Sequence, residues 1–466
     1  MKSSKPILIG GIGLSIGLWF LNSLDISMFQ FEEFGTLSAI ALGYILWLGK
    51  KRAKTIPPIL NVSSLTIEDV QTAITQTQEV FKILEKEVIN TDISSLKKEL
   101  DCLPNLLQEK ALQTQFKINI VGSKYAGKTT LKELLNKKLD QEIIFTETLD
   151  HDLVNSEILN QDNDITLFLI TGDLTESQWQ VIQKLKDLHH RLILLLNKQD
   201  RYLPEEIYLI LQQIKEKVKN VISEKDILAM ATSPIPIKVK QHQKDGKIKE
   251  WMENQVPQID NIINNLQHIL TEETEQLKLE KTWRNAFVVK EKIKNKINEI
   301  RKERSLPIIE KYQWIAATAT FANPISSLDL LATAAINGQL LVDLSEIYQQ
   351  KFSLDQAQNS ASLLGKLMMQ LGLVEISTQT ITSVLKSNPL TYIAGGTIQG
   401  MSAAYLTRIA GLSLIEYYQE QDILNTSTNT LNLEKIGEKL KKVFQENQRI
   451  EVIKSFLKEG LKLKSA

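Results

Sequence analysis

One short glycine-framed segment constrains the architecture of this chain more than any other feature. Gly122-Ser123-Lys124-Tyr125-Ala126-Gly127-Lys128-Thr129 has the spacing GxxxxGK[ST]. It follows the apolar, strand-like residues 116–121 and precedes the helix-like residues 130–138. Between a strand and a helix, such glycines let the backbone wrap tightly, so that consecutive N–H groups point inward at phosphate oxygens. Lys128 would reach the β- and γ-phosphates of a nucleotide and the Thr129 hydroxyl would sit on Mg²⁺. Thr130, next in the chain, completes this group of candidate contacts.

A second motif addresses the base. Asn197-Lys198-Gln199-Asp200 ends the apolar β-run 192–196. The Asp200 carboxylate can accept from two N–H donors on one edge of guanine, a pair that adenine does not offer. Asn197 can bond the opposite edge, and the Lys198 stem can cover the ring face. Either motif alone has a plainer reading, a chance string or a surface turn. Their order makes coincidence hard to sustain, and the expected ligands are GTP and GDP with Mg²⁺ rather than ATP. The arrangement resembles the small GTP-binding proteins of the translation-factor and Era-like class. Thr232 and Ser233 stand where that class places its short final base-binding loop.

Around these motifs, strand-like runs (142–148, 165–170, 191–196, 227–231) alternate with helix-like runs (174–189, 205–222, 246–270). That alternation predicts a doubly wound α/β domain. Pro257 must kink the last helix or start a new one. The resemblance implies a DxxG motif, whose Asp reaches Mg²⁺ through water and whose Gly senses the γ-phosphate. None lies between Thr130 and Asp164. Glu147, in Glu147-Thr148-Leu149-Asp150, is the nearest equivalent, with an ordinary polar strand end as the competing reading. Thr146 or Thr148 could replace the switch threonine, although nothing in the spacing demands it. The segment is too short for two full switch loops, and no water-positioning Gln is identifiable. Lys128, Thr129 and Glu147 are the candidate catalytic groups, and binding is better supported than hydrolysis.

Composition excludes several classes. Fifty-five Lys+Arg balance 55 Asp+Glu over 466 residues, so no global basic field attracts nucleic acid. Cys102 is the only cysteine, which rules out an intrachain disulfide and fits a reducing compartment. The five histidines show no metal-ligand spacing.

The N-terminal end is a different material. Residues 6–24 are almost wholly apolar and uncharged, and residues 34–48 form a second apolar run. Spanning a bilayer takes about 20 such residues, fewer with interfacial flanks. Lys2 and Lys5 precede the first run, and Lys50, Lys51, Arg52 and Lys54 follow the second; only Asp25, Glu32 and Glu33 carry charge between them. Basic residues at both outer ends place both ends on the cytoplasmic face of a transmembrane helical hairpin. A cleaved signal peptide is the alternative, but no A-x-A-like site follows and a second apolar run comes directly after.

The remaining sequence reads as helical. Residues 66–88, with Ser64 and Thr66 as candidate caps, and residues 93–110, with a break or kink at Pro104, form a packing stalk. Residues 275–304 are a long charged helix whose character changes after Leu306-Pro307. Helices are expected over 326–348 and 361–373, and residues 389–418 are the most apolar stretch, rich in Gly, Ala and Ser. That stretch could enter a bilayer or pack in a soluble bundle; Arg408 in its middle costs about 2.5–3.5 kcal/mol on insertion scales and favours the bundle. The tail, 433–463, is Lys-rich but balanced by Glu, as in a solvated helix.

Ala322-Asn323-Pro324 followed by Leu328-Asp329-Leu330-Leu331, then Lys386-Ser387-Asn388-Pro389, Thr407-Arg408-Ile409-Ala410-Gly411 and Glu416-Tyr417-Tyr418, resemble a bacterial group of GTPases. These carry a hydrophobic helical C-terminal domain of unknown function, and the resemblance covers most of residues 60–420. It implies a membrane-associated GTPase and no particular substrate. The expected organisation is a transmembrane hairpin with basic flanks (1–55), a helical stalk (56–115), an α/β P-loop GTPase domain (116–270), an all-α hydrophobic domain (271–425) and a charged C-terminal helix (426–466). The expected role is a slow, membrane-anchored GTP-binding switch, multi-pass in the cell inner membrane or another internal membrane, with its nucleotide domain cytoplasmic. Its expected partners are a guanine nucleotide, the lipid bilayer and a protein effector of unknown identity, with no nucleic acid. A scaffold with a structural, non-hydrolysing nucleotide site and a dynamin-type membrane-remodelling GTPase remain alternatives.

Overall fold

The computed structural model describes residues 64–466, except 89–91, 109–114, 140–141, 151, 153–161, 243–247, 323–325, 351, 387–394, 422, 425–430 and 466. The expected membrane hairpin lies outside the described residues. Among those described, no helix is long and apolar enough to cross a membrane.

The first two helices are α1 (Ile67–Glu87) and α2 (Ser94–Gln108). Thr66 caps α1 reciprocally: its hydroxyl accepts from the Asp69 N–H, and the Asp69 carboxylate accepts from the Thr66 N–H. The α/β domain then runs β1 (Phe116–Gly122), α3 (Lys128–Lys138), β2 (Ile143–Leu149), β3 (Ile165–Ile170), α4 (Glu176–Asp187), β4 (Arg191–Leu196), α5 (Pro204–Val218) and β5 (Ile227–Ala229). Next come a hairpin, β6 (Ile237–His242) and β7 (Ile248–Glu253), and the closing helix α6 (Asp260–Glu272). The helical part comprises α7 (Thr274–Ala322), α8 (Ser326–Ile347), α9 (Leu354–Gln370), α10 (Leu373–Lys386), α11 (Gly395–Gln419), α12 (Leu433–Asn447) and α13 (Ile450–Ser465).

The five main strands form one parallel sheet in the order β2-β1-β3-β4-β5. Helices cover both faces, which is why β3 and β4 are buried along their whole length and read as continuous apolar runs. Leu131 and Leu135 of α3 pack on one face with Ile262, Leu266 and Ile269 of α6. Val181 and Ile182 of α4 pack on the other with Ile214 and Val218 of α5. The chain moves from β1 to β2 on one side and then to β3 on the other. The carboxyl ends of β1 and β3 therefore flank a topological switch point, where open α/β sheets place their ligands.

The helical part is organised by α7, whose 49 residues make a rod about 70 Å long at 1.5 Å per residue. Its first half packs Ala286, Val289, Ile293 and Ile297 against α1 and α2. Its second half contributes Ile309 and Tyr312 to a larger core shared with α8 to α13. A buried ion pair, Arg301 to Glu87 at 2.6 Å, ties α7 to the end of α1. At the sheet end, Arg284 donates to the carbonyls of His189 (2.7 Å) and Asn163 (2.6 Å), and Lys281 pairs with Asp164 at 3.1 Å. These contacts lie at the amino ends of β3 and β4, the edge opposite the glycine-framed loop.

Four expectations change. Residues 248–253 form a strand rather than the start of the closing helix, which begins only after Pro257. No break occurs at Pro104, because α2 runs through it. Packing of Leu100 and Leu103 against α7 there outweighs the one backbone hydrogen bond that proline removes. The helix expected over 361–373 starts earlier and ends at Gln370, two residues before Gly372, whose φ of +69° only glycine adopts freely. The tail is two helices, and Ile436, Leu440, Phe444, Ile453 and Phe456 enter the core, so its apolar stripe is packed and only its charged face is solvated. Within residues 389–418, the described part is α11, a helix packed into the core of this part. A Cβ at Gly400 would lie 2.9 Å from the Ala317 carbonyl oxygen, and Arg408 donates to Gln313 at 3.4 Å.

Candidate functional site

The loop between β1 and α3 is held in a cradle by two residues with positive φ, Tyr125 (66°) and Gly127 (99°). Gly127 has a second reason to be glycine: a Cβ there would lie 2.3 Å from the Asn197 amide nitrogen. The cradle is closed by hydrogen bonds from Ala126 N–H to the Ser123 carbonyl and from Leu131 N–H to the Gly127 carbonyl. At the N-terminus of α3, unpaired backbone N–H groups and the helix dipole favour an anion. Lys128 Nζ donates to the carbonyls of Gly122 and Ser123, both at 2.9 Å. Burial pushes the Lys128 ammonium below its ordinary pKa, while Asp150 and then Glu147 pull it back up.

The second motif is built into the back of this loop. Asn197 is wholly buried. Its amide donates to the Ala126 carbonyl at 2.7 Å and to the Thr232 hydroxyl at 3.1 Å, and its Oδ1 accepts from the Thr232 N–H at 3.1 Å. Lys198, in the left-handed region at φ 64°, donates from Nζ to the Tyr125 carbonyl at 2.8 Å. Asp200 accepts from the Ile235 N–H at 2.9 Å. Three sequence-distant segments thus meet around one open cleft of about 410 Å³. It is lined by Tyr125, Ala126, Gly127, Lys128, Thr129, Thr130, Lys198, Thr232 and Ser233, all expected from the sequence, and by Arg201, which was not. Gly122, Ser123 and Lys124 shape the loop without lining the cleft. Asn197 stands behind it, Asp200 beside it, and Lys124 lies over the Tyr125 ring at 5.3 Å.

Glu147 does reach the loop. Its Oε2 accepts from the Thr129 hydroxyl at 2.8 Å, and Lys132 lies 3.9 Å from its other oxygen. Strand alternation explains the selection. Glu147 pairs with Ile120 and faces α3, whereas Thr146 and Thr148 face the opposite side. Both of those hydroxyls donate to Asn119 Oδ1, at 3.1 and 3.0 Å, so neither stands in for a switch threonine. Only residues 139–142 separate α3 from β2, which leaves no room there for a long loop.

Two further polar residues matter here: Asp150, named in the sequence only as the end of Glu147-Thr148-Leu149-Asp150, and Gln178, not named at all. Asp150, just past β2, sends its N–H toward the Gly122 carbonyl at 3.4 Å, the same oxygen that Lys128 engages. Its carboxylate accepts from Gln178 Nε2 at 3.0 Å. Asp150 could have been found as the first acidic residue after an apolar strand that follows the loop. Gln178 carries no such signal.

The donor set fits a magnesium polyphosphate. The N-terminus of α3 and one lysine border the cradle, a hydroxyl and a carboxylate meet at its edge, and the glycine at its centre leaves no space for a side chain. Thr129 is the residue that would hold the metal. Among the described residues no cluster of His, Cys, Asp and Glu forms a separate metal site.

The helical part matches a known family. Residues 284–449 fit the family model described as a domain of unknown function (DUF697). The C-terminal helical part is a DUF697 domain. It begins inside α7 at Arg284, the residue that grips the sheet, and ends at Arg449 after α12. The DUF697 domain thus shares one continuous helix with the α/β domain. No curated protein matches the chain.

Proposed function

We propose that this protein is a membrane-anchored GTP-binding protein that acts as a slow GTPase switch on the cytoplasmic face of a membrane. The observation that carries the reading is the buried Asn197 side chain, which ties the phosphate loop at Ala126 to the final loop at Thr232. A surface turn would have no reason to bury an amide with both ends bonded. The same arrangement sets Asp200 and Lys198 beside the cleft, where they would read guanine.

In this reading the backbone of residues 123–128 and the Lys128 ammonium hold the phosphates. Lys128 exchanges its two carbonyl partners for phosphate oxygens. Thr129 and Glu147 would hold Mg²⁺, which when bound would supply charge neutralisation at the phosphates. Slow turnover follows from the sequence, in which no water-positioning Gln is identifiable; among the described residues, Gln178 already uses both ends of its amide. Anchoring rests on residues 6–24 and 34–48 and their basic flanks. The DUF697 domain, coupled through α7, is the element that would report nucleotide state to an effector.

Nucleotide content and turnover of the purified full chain test this. The expected result is binding of GTP and GDP but not ATP, with hydrolysis at or below roughly 10⁻³ s⁻¹. Turnover near roughly 1 s⁻¹, the partner-activated range, would contradict the slow switch. No turnover at all, with nucleotide bound, would favour the scaffold, and stimulation by liposomes would favour membrane remodelling. A cysteine introduced at Ser27, in a Cys102→Ser background, should react with a membrane-impermeant reagent in intact cells. Labelling of a cysteine at Lys54 instead would contradict the orientation.

A further inference from the structure

Gln178 is the third residue of α4 and is more than nine-tenths buried. Its Oε1 accepts from the Thr175 N–H at 3.2 Å, and its own N–H donates to the Thr175 hydroxyl at 3.3 Å, a complete capping box. That pairing fixes the amide's orientation, since only the oxygen can face an N–H. The nitrogen must then face Asp150, to which it donates at 3.0 Å. Asp150 in turn shares the Gly122 carbonyl with Lys128. One chain of hydrogen bonds therefore runs from the start of α4 to the phosphate loop.

On the guanine-nucleotide reading of the site, we infer that Gln178 is a positioning residue: its amide fixes the Asp150 carboxylate at the phosphate end of the cleft, where Asp150 joins Glu147 in holding the magnesium-bound nucleotide. A cap alone needs only an acceptor at position 178, and Glu is as common as Gln there. Holding a carboxylate needs a donor. Glutamate supplies the first and not the second, so Gln178→Glu separates the two roles with almost no change of shape. Partners that orient a metal-side ligand typically matter 10- to 100-fold in metal affinity.

The experiment is equilibrium binding of GTP and GDP to the purified full chain, with Mg²⁺ and with EDTA, alongside thermal melting without nucleotide. Gln178→Glu should weaken Mg²⁺-GTP binding about tenfold or more and leave binding in EDTA within about twofold. Without nucleotide its melting temperature should fall, because two carboxylates then face each other, and that fall should vanish in the Asp150→Ala background, where only the cap remains. Asp150→Asn, which does not touch the cap, should show the same Mg²⁺-selective loss. In an Asp150→Ala background Gln178→Glu should add almost nothing. Unchanged Mg²⁺-GTP affinity in Gln178→Glu would overturn the inference. So would equal losses with and without Mg²⁺, or a loss that persists without Asp150. A wild-type chain that binds no guanine nucleotide would instead overturn the reading of the site itself, and this inference with it.

Discussion

Replacing Asn197 by alanine tests how the cleft is built before any ligand is added. Asn197 has no solvent exposure and satisfies three groups: the Ala126 carbonyl, the Thr232 hydroxyl and the Thr232 N–H. Alanine leaves the Ala126 carbonyl and the Thr232 N–H buried without these partners. Each such group costs about 1–3 kcal/mol, so the expected local destabilisation is about 2–4 kcal/mol once partial relaxation is allowed. At about 1.4 kcal/mol per factor of ten, that is a loss of protection of about 30- to 700-fold. The chain has more than one core, so a single unfolding free energy is the wrong readout. Amide hydrogen exchange of the nucleotide-free chain, followed on peptides from the phosphate loop and from the segment around Thr232, measures the local opening directly. Both should lose protection together, while peptides from α8 to α13 keep theirs. A loss below about 0.5 kcal/mol, the range of surface substitutions, would refute the claim that this amide holds two loops together.

Two other perturbations follow from the packing. Burial pushes the His189 imidazolium below its ordinary pKa, and the neighbouring Lys186 and Arg284 push it the same way against Asp69 and Asp187. The unfolded chain then binds more protons below about pH 6.5, so stability falls as pH drops through that region. His189→Asn, which tolerates the φ of 53°, should show a smaller fall in melting temperature from about pH 7 to pH 5.5 than wild type, and an equal fall would contradict the assignment. Gly400→Ala should lower the melting temperature of the DUF697 domain, although alanine favours helix by about 1 kcal/mol. The new Cβ meets a backbone carbonyl at 2.9 Å and overpacking costs about 1–3 kcal/mol, so a raised melting temperature would show that α7 and α11 can move apart.

What could be read from the chain divides by the range of the interactions. Residues 116–138 and 192–200 were legible because strand, turn chemistry and helix are encoded locally and the glycines mark the turn. The parallel sheet followed from alternation alone. The β6–β7 hairpin was missed even though Asp245-Gly246 is a strong hairpin signal. Apolar residues in 246–270 can be fitted to a helical period, and Pro257 appeared to be the only obstacle. Pro104 misled in the opposite sense, because its cost is local and the packing that outweighs it is not. Glu147 was found by position, and its contact with Thr129 followed from strand alternation. Gln178 could not be found, because its role depends on an orientation fixed by Thr175 and on a carboxylate 28 residues away.

The central claim is that this cleft reads guanine, and base preference in wild type and in Asp200→Asn measures it most directly. Asp200 is anchored by the Ile235 N–H at 2.9 Å, so its carboxylate is presented beside the cleft rather than free in solvent. A site built to bond two donors rejects a mismatched edge by orders of magnitude, because buried polar groups are left unpaired. Asparagine turns that double acceptor into one acceptor and one donor, which matches xanthine. Competition binding with the purified full chain should show wild type selecting GTP over xanthosine triphosphate and ATP, and Asp200→Asn selecting xanthosine triphosphate over GTP. Equal GTP affinity in wild type and Asp200→Asn, or ATP binding as tight as GTP in the wild type, would contradict the account.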